Sequence, residues 1–229
     1  MDCNRNDLCM SSEDLELKIE KFKPKVVIIV HIGGHIAFEI HDIVKICNRH
    51  KITLIEDCAH AHGAQYRGKK AGTFGLAGIY SFYSTKTMTT GEGGCIVSND
   101  EKLISFARQY INYGKPKYKV QGLNFRMNEF NAALGLWQIQ KLPEIVNWKN
   151  KKAREYDKIF KKRVVIPKEM ISGYYKYIVF QPIENSTGKV YAQPCHKILQ
   201  KDYHLPNTEW VAKNHWCVPI FYKGDGEQT

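Results

Sequence analysis

Residues 25–30, Lys-Val-Val-Ile-Ile-Val, form an almost unbroken β-branched run that leads straight into a turn holding two adjacent glycines. A run of this kind suits a strand buried on both faces of a parallel sheet. Past the turn at residues 31–35, Ile36, Ile40, Ile43, Val44 and Cys47 mark one face of a helix. Residues 52–56 are a second short apolar strand. Strand, helix and strand within about thirty residues make a βαβ unit and commit the chain to an α/β sheet.

The alternation extends in both directions. Ser11 with Asp14 resembles a capping box ahead of Leu15, Ile19 and Phe22 at helical spacing, and Pro24 closes that helix. Residues 58–75, rich in Gly, Ala and His, read as a loop over the sheet, and residues 79–83 and 95–98 as further strands. Asn99 or Asp100 caps a helix to about residue 112, ended by Gly114. Asn128 starts a helix with Phe130, Ala133, Leu134 and Trp137 on one face, and Pro143, as an N1 residue, opens a separate one to about residue 162. From Val164 a smaller α+β region follows: an aromatic strand at 174–183, a short apolar run at 210–221 and a polar end at 223–229. The expected units are residues 1–148 and residues 149–229.

Composition excludes several classes. With 43% hydrophobic and 25% charged residues in 229, the chain is not disordered. Its longest aliphatic run, 26–30, falls far short of the ~20 residues that cross a bilayer, and its first 25 residues hold no apolar signal core. Seven cysteines, an odd number with no C-x-x-C pair, read as reduced thiols in a cytoplasm. The net charge of +11 invites a nucleic-acid partner. Its densest part, Lys149, Lys151, Lys152, Arg154 and residues 161–163, scatters around a helix and reads as a solvated face. No zinc-finger spacing, RNP-like aromatic strand or leucine-zipper heptad accompanies it, so neither nucleic acid nor membrane is expected.

The residues that carry chemistry sit at strand ends. Asp57 directly follows the 52–56 strand, where an open α/β sheet meets its ligands; alone, it reads as a cap for the next turn. Lys86 follows the 79–83 strand; alone, it reads as a surface lysine. Together with Ser81, five residues before Lys86, they offer what pyridoxal phosphate requires. An amine bonds the aldehyde, a carboxylate keeps the ring nitrogen protonated, and a hydroxyl donates to the phosphate. Cys58, His60 and His62 alternate as zinc ligands would, but no second ligand cluster appears, so no metal is expected.

The segments EDCAHAHGA (56–64), SFYSTK (81–86) and GEGG (91–94) resemble those of DegT/DnrJ-type nucleotide-sugar aminotransferases. VIIVHIGG (27–34) before them and GLNFRMNE (122–129) after them keep the same order. The likeness is close over about residues 2–148 and loose beyond. It implies the type I aminotransferase fold: a large domain with a mostly parallel sheet, here incomplete, plus part of an α+β small domain. It implies pyridoxal phosphate as cofactor and amino transfer from L-glutamate to a keto-sugar nucleotide, for cell-surface or secondary-metabolite glycans. By the same likeness Lys86 is the Schiff-base lysine and proton carrier. Asp57 pairs with the pyridine nitrogen, His60 lies against the cofactor ring, and Ser81 binds the phosphate. Asn124 reaches the phosphate of a neighbouring subunit, which implies a homodimer. Glu92, in a glycine-rich turn, is structural.

The resemblance also marks departures. Full-length relatives begin upstream of this Met1, with a helix N-terminus that clasps the phosphate and an aromatic residue that stacks on the ring. Without them, cofactor binding should weaken and a sheet edge or apolar face should stand uncovered, open to a partner or a separate N-terminal fragment. A catalytically silent relative of the same fold is therefore the alternative. A dehydratase-type relative is disfavoured by Lys86, since the 3-dehydratases carry His there.

Overall fold

The computed structural model describes residues 1–222; the polar end expected at 223–229 lies outside them. Ser11 caps α1 (Ser12–Phe22), its side chain accepting from the Asp14 N–H at 3.3 Å. The reciprocal bond of a capping box is not made, because the Asp14 carboxylate takes the Asp2 N–H at 2.7 Å and the Ser11 N–H goes to the Asp2 carbonyl. Leu15 and Ile19 turn inward, whereas Phe22 stays exposed at the helix end.

β1 (Val26–Val30), α2 (Ile40–Arg49) and β2 (Thr53–Asp57) build the expected βαβ unit. A short antiparallel hairpin of β3 (Gln65–Tyr66) and β4 (Lys69–Lys70) forms inside the 58–75 loop. β5 (Ala77–Ser81) then pairs parallel to β2, and β6 (Gly94–Val97) closes the row antiparallel to β5, giving the order β1-β2-β5-β6. Val27, Ile29 and Leu54 pack with Leu15 and Ile19 of α1 and Ile40, Ile43 and Ile46 of α2 in one core.

Burial on both faces, the expectation for the 25–30 run, does not hold. Val26, Ile28 and Val30 alternate with the core residues and remain exposed, as do Ile79 and Ile96 on the neighbouring strands. The two helices cover one face, and the other carries a row of β-branched residues facing outward, as the uncovered-face expectation had it. Parallel sheets ordinarily bury both sides, so this face is built to be covered.

Asp100 caps α3 (Glu101–Tyr110), its carboxylate accepting from the Leu103 N–H at 2.9 Å. Asn128 caps α4 in the same way, but α4 (Glu129–Ile159) is one helix of 31 residues with Pro143 inside it, not two helices meeting at a proline. A proline removes one i→i−4 bond yet keeps a helical φ. Here Ile145, Val146 and Ala153 bury their side chains on the C-terminal side of Pro143, and that packing carries the helix through. The helix also runs across residue 148.

β7 (Met170–Ile171) joins β3 antiparallel. The expected 174–183 strand shrinks to β8 (Tyr177–Val179), followed by α5 (Cys195–Ile198), α6 (Pro206–Asn214) and β9 (Trp216–Val218). β8 and β9 pair antiparallel, so the 210–221 run splits between the end of a helix and a strand. The start of the described chain is tied to α6: the Asp2 carboxylate accepts from Asn207 N–H, Thr208 N–H and the Thr208 hydroxyl at 2.6–3.0 Å. All seven cysteines are free thiols. No helix among the described residues is long and apolar enough to cross a membrane.

Candidate active site

The parallel strands β1, β2 and β5 end on one edge of the sheet, and in register Val30 lies beside Asp57 and Asp57 beside Ile79. Side chains alternate faces along a strand, so Asp57, Ile79 and Ser81 share the outward face while Glu56 and Tyr80 face the other way. Adjacent strands lie about 4.8 Å apart. A carboxylate and a hydroxyl thus stand on neighbouring strands, at the carboxyl edge where open α/β sheets hold ligands.

Asp57 uses Oδ1 to accept the Ala59 N–H at 2.9 Å, the turn-capping role open to it from sequence alone. Its Oδ2 makes no hydrogen bond among the described residues and stays available to a donor. Ser81 Oγ accepts the Tyr83 N–H at 3.3 Å, which leaves its hydroxyl proton to give. The Lys86 N–H closes a turn on the Tyr83 carbonyl at 2.9 Å.

His60 reaches this edge from the loop after β2. Its Nδ1 accepts the Gly33 N–H at 3.4 Å, joining it to the turn after β1. Burial, then the positive charges of Lys86 and Lys176, push its pKa down to about 3, so the imidazole is neutral at physiological pH. The backbone beside it is tight. At Gly34 (φ +105°) a Cβ would stand 2.4 Å from the Tyr175 nitrogen and 3.2 Å from the His60 carbonyl oxygen, so only glycine fits.

The structure therefore sets Asp57 and Ser81 on neighbouring strands, with His60 in the loop after β2 close enough to Lys86 to feel its charge. Asn124 does not join them within the chain: it is exposed, in a bridge with Asn112 after α3. The alternative zinc trio is not the one that clusters. Among the described residues, ligand-type atoms of His31, Glu56 and Cys58 lie within 4.8 Å of one another, all buried. The His31 and Glu56 atoms are spent on protein partners, Glu56 on four N–H donors and His31 on Glu56 and the Ala37 N–H. A cavity of about 740 Å³ lies elsewhere, against β5, β6 and α4, lined by His62, Phe82, Met88 and Val146.

Two further residues belong to the neighbourhood and were not singled out from sequence. Tyr175 stacks on His60 with ring centroids 4.2 Å apart. Lys149, read as part of a solvated charge stripe, is buried; its Nζ donates to the Tyr174 carbonyl at 2.9 Å and lies 3.5 Å from the Thr87 hydroxyl. The helical spacing of the stripe could have separated it: Val146 and Ala153, at i−3 and i+4, share its buried face.

Burial, then the charge of Lys176, lowers the Lys149 pKa to about 8. The folded chain thus binds this proton less readily than the unfolded one, so the cost of the buried charge is present below pH ~8 and lifted as pH rises toward ~10.4. Lys149→Met removes the titration. The difference in melting temperature between wild type and Lys149→Met should shift in favour of wild type between pH 7 and pH 9.5; a difference independent of pH would contradict it.

A profile described as the DegT/DnrJ/EryC1/StrS aminotransferase family matches residues 1–185. The chain belongs to this family. Within it, the chain is 36% identical over 156 residues to the UDP-4-amino-4,6-dideoxy-N-acetyl-beta-L-altrosamine transaminase of Helicobacter pylori, covering 64% of this chain and 41% of that protein. It is 35% identical over 173 residues to the GDP-perosamine synthase of Escherichia coli O157:H7, covering 73% and 47% respectively. The chain thus spans less than half the length of these two relatives. The crystal structure of a family aminotransferase from Brucella abortus has the same fold, with a TM-score of 0.86 at 24% identity, over 96% of this chain and 67% of that one.

Proposed function

We propose that the chain acts in pyridoxal-phosphate-dependent transfer of an amino group from L-glutamate to a keto-sugar nucleotide. The supporting observation is that Asp57 and the strand holding Ser81 lie side by side at the carboxyl edge of three parallel strands, with His60 bonded to the turn after β1 and the Lys86 Nζ 4.8 Å from the ring that stacks on His60. Two features fit the cofactor. A flat six-membered ring fits against His60 within 4.8 Å of the Lys86 Nζ, since the Tyr175 ring lies there. The Asp57 Oδ2 and the Ser81 hydroxyl on adjacent strands offer an acceptor for a ring N–H and a donor for a phosphate.

When bound, pyridoxal phosphate supplies an electron-withdrawing ring that stabilises negative charge on the carbon losing its proton. The chain's residues do the rest. Lys86 would hold the cofactor through its amine and carry the proton, Asp57 would accept from the ring nitrogen, neutral His60 would offer an uncharged face, and Ser81 would donate to the phosphate. The reading extends to a cytoplasmic homodimer in which Asn124 serves the partner's site, and to a polypeptide segment over the Val26, Ile28, Val30, Ile79 and Ile96 face. That face also favours the second reading, a silent relative that binds cofactor without turnover.

The test supplies the protein with pyridoxal phosphate, L-glutamate and a panel of keto-sugar nucleotides and measures 2-oxoglutarate. Turnover should appear with at least one acceptor, and Asp57→Ala should lower kcat by about 10²–10³, the loss typical of a missing electrostatic stabiliser. Cofactor fixed at Lys86 with no turnover on any acceptor would select the silent relative instead.

A further inference from the structure

Tyr175 touches two of the four residues of the proposed site, His60 and Lys86. Its ring stacks on His60 at a centroid distance of 4.2 Å and an interplanar angle of 27°. The Lys86 Nζ lies 4.8 Å from the centre of the same ring. Its hydroxyl shares a hydrogen bond with Thr85 Oγ1 at 3.0 Å, one residue before Lys86. The backbone holds the ring there: Gly173 N–H bonds the Gly34 carbonyl at 2.7 Å and Lys176 N–H the Gly33 carbonyl at 2.9 Å. Tyr175 is thus clamped from both sides to the turn after β1, and its side chain can leave only by rotating.

We propose that the Tyr175 ring occupies the place a cofactor ring must take against His60 and beside Lys86, and must rotate out before the cofactor binds. The inference rests on the proposed function, because a ring bonded to Lys86 and lying against His60 needs the space the phenol ring fills. The contacts it gives up are a stack, two cation–π contacts, with Lys86 and Lys176, and one hydrogen bond, each modest. Cofactor entry must replace all of them.

Pyridoxal phosphate itself is the probe. Its dissociation constant is measured by fluorescence titration on wild type, Tyr175→Phe and Tyr175→Ala, and borohydride reduction with peptide mapping shows whether it reaches Lys86. Tyr175→Ala should bind about tenfold tighter than wild type, the equivalent of about 1.4 kcal/mol. Tyr175→Phe keeps the ring and loses only the Thr85 bond, so it should tighten two- to threefold; this conservative variant guards against misfolding of the alanine protein. Equal or weaker binding by both variants, with Lys86 still labelled, would overturn the role of Tyr175 and leave the function standing. Absence of label at Lys86 in all three proteins would overturn both.

Discussion

Lys86→Ala protein, incubated with pyridoxal phosphate and reduced with borohydride, should carry no phosphopyridoxyl group, whereas wild type should gain one, on the peptide holding residue 86. The reason is chemical. Only an unprotonated amine adds to the aldehyde, and among the lysines Lys86 alone sits five residues beyond Ser81, at the edge that Asp57 also faces. Alanine removes both the bond to the cofactor and the proton carrier. The loss of kcat should therefore exceed about 10³-fold, within the range for a positioned acid–base group. Lys176 supplies the control. Its Nζ lies 5.2 Å from the Tyr175 ring, so it is a nearby cation outside the 81–86 segment. Lys176→Ala should keep the label on Lys86; labelling spread over several lysines, undiminished in Lys86→Ala, would show non-specific adduct formation and remove the proposed function.

Much of the fold was legible because its elements announce themselves locally. The β-branched run gave β1, the 3.6-residue spacing of Ile40, Ile43 and Cys47 gave α2, though Ile36, read on the same face, lies ahead of the helix, and Ser11, Asp100 and Asn128 cap the helices they precede. What was not legible depends on partners distant in sequence. Pro143 carries a helix-start signal, and only packing of Ile145 and Val146 shows that the helix passes through it. Lys149 belongs by composition to a charged stripe, and only the approach of residues 87 and 174 buries it. Asp57, Ser81 and Lys86 were read from their places after strands, His60 and Asn124 only from the resemblance; the structure sets Asp57 and Ser81 on adjacent strands and His60 near Lys86, and leaves Asn124 exposed after α3. Tyr175 lay outside that reading because it comes from β8's approach, 90 positions from its hydrogen-bond partner. The exposed side of β1 shows the limit in the other direction: a sequence states that both faces want cover, and not what supplies it.

Glu56→Ala should cost the most stability of any single change near the site. Glu56 is wholly buried, yet every lone pair it presents is taken. Oε1 accepts from Phe74 N–H at 2.6 Å and Gly75 N–H at 2.7 Å; Oε2 accepts from Gly72 N–H at 2.7 Å and His31 Nε2 at 3.0 Å. His31 Nδ1 accepts the Ala37 N–H at 3.2 Å, which puts the ring's proton on Nε2, facing the carboxylate. Alanine would strand these four donors away from water. Each buried donor without a partner costs about 1–3 kcal/mol, so even with partial relaxation the loss should be on the order of 3–5 kcal/mol, against a typical total of about 5–15. At about 2–4 °C per kcal/mol for a chain of this size, the melting temperature should drop by roughly 10 °C or more. Glu56→Gln should lose less, since its carbonyl oxygen still accepts while its NH₂ faces N–H groups. Burial pushes the Glu56 pKa up, but the His31 hydrogen bond and the backbone N–H bonds outweigh it and hold the value below 4.5. The stabilisation is thus full above that pH and lost as pH falls through the lowered value, so the gap between wild type and Glu56→Gln should narrow on acidification. A melting temperature within 2–3 °C of wild type for Glu56→Ala would contradict the network. Its consequence reaches the chemistry, because Glu56 ties β2 to the 72–75 turn one residue before Asp57. In Glu56→Ala, labelling of Lys86 by cofactor should fail at the lower temperature at which that turn lets go.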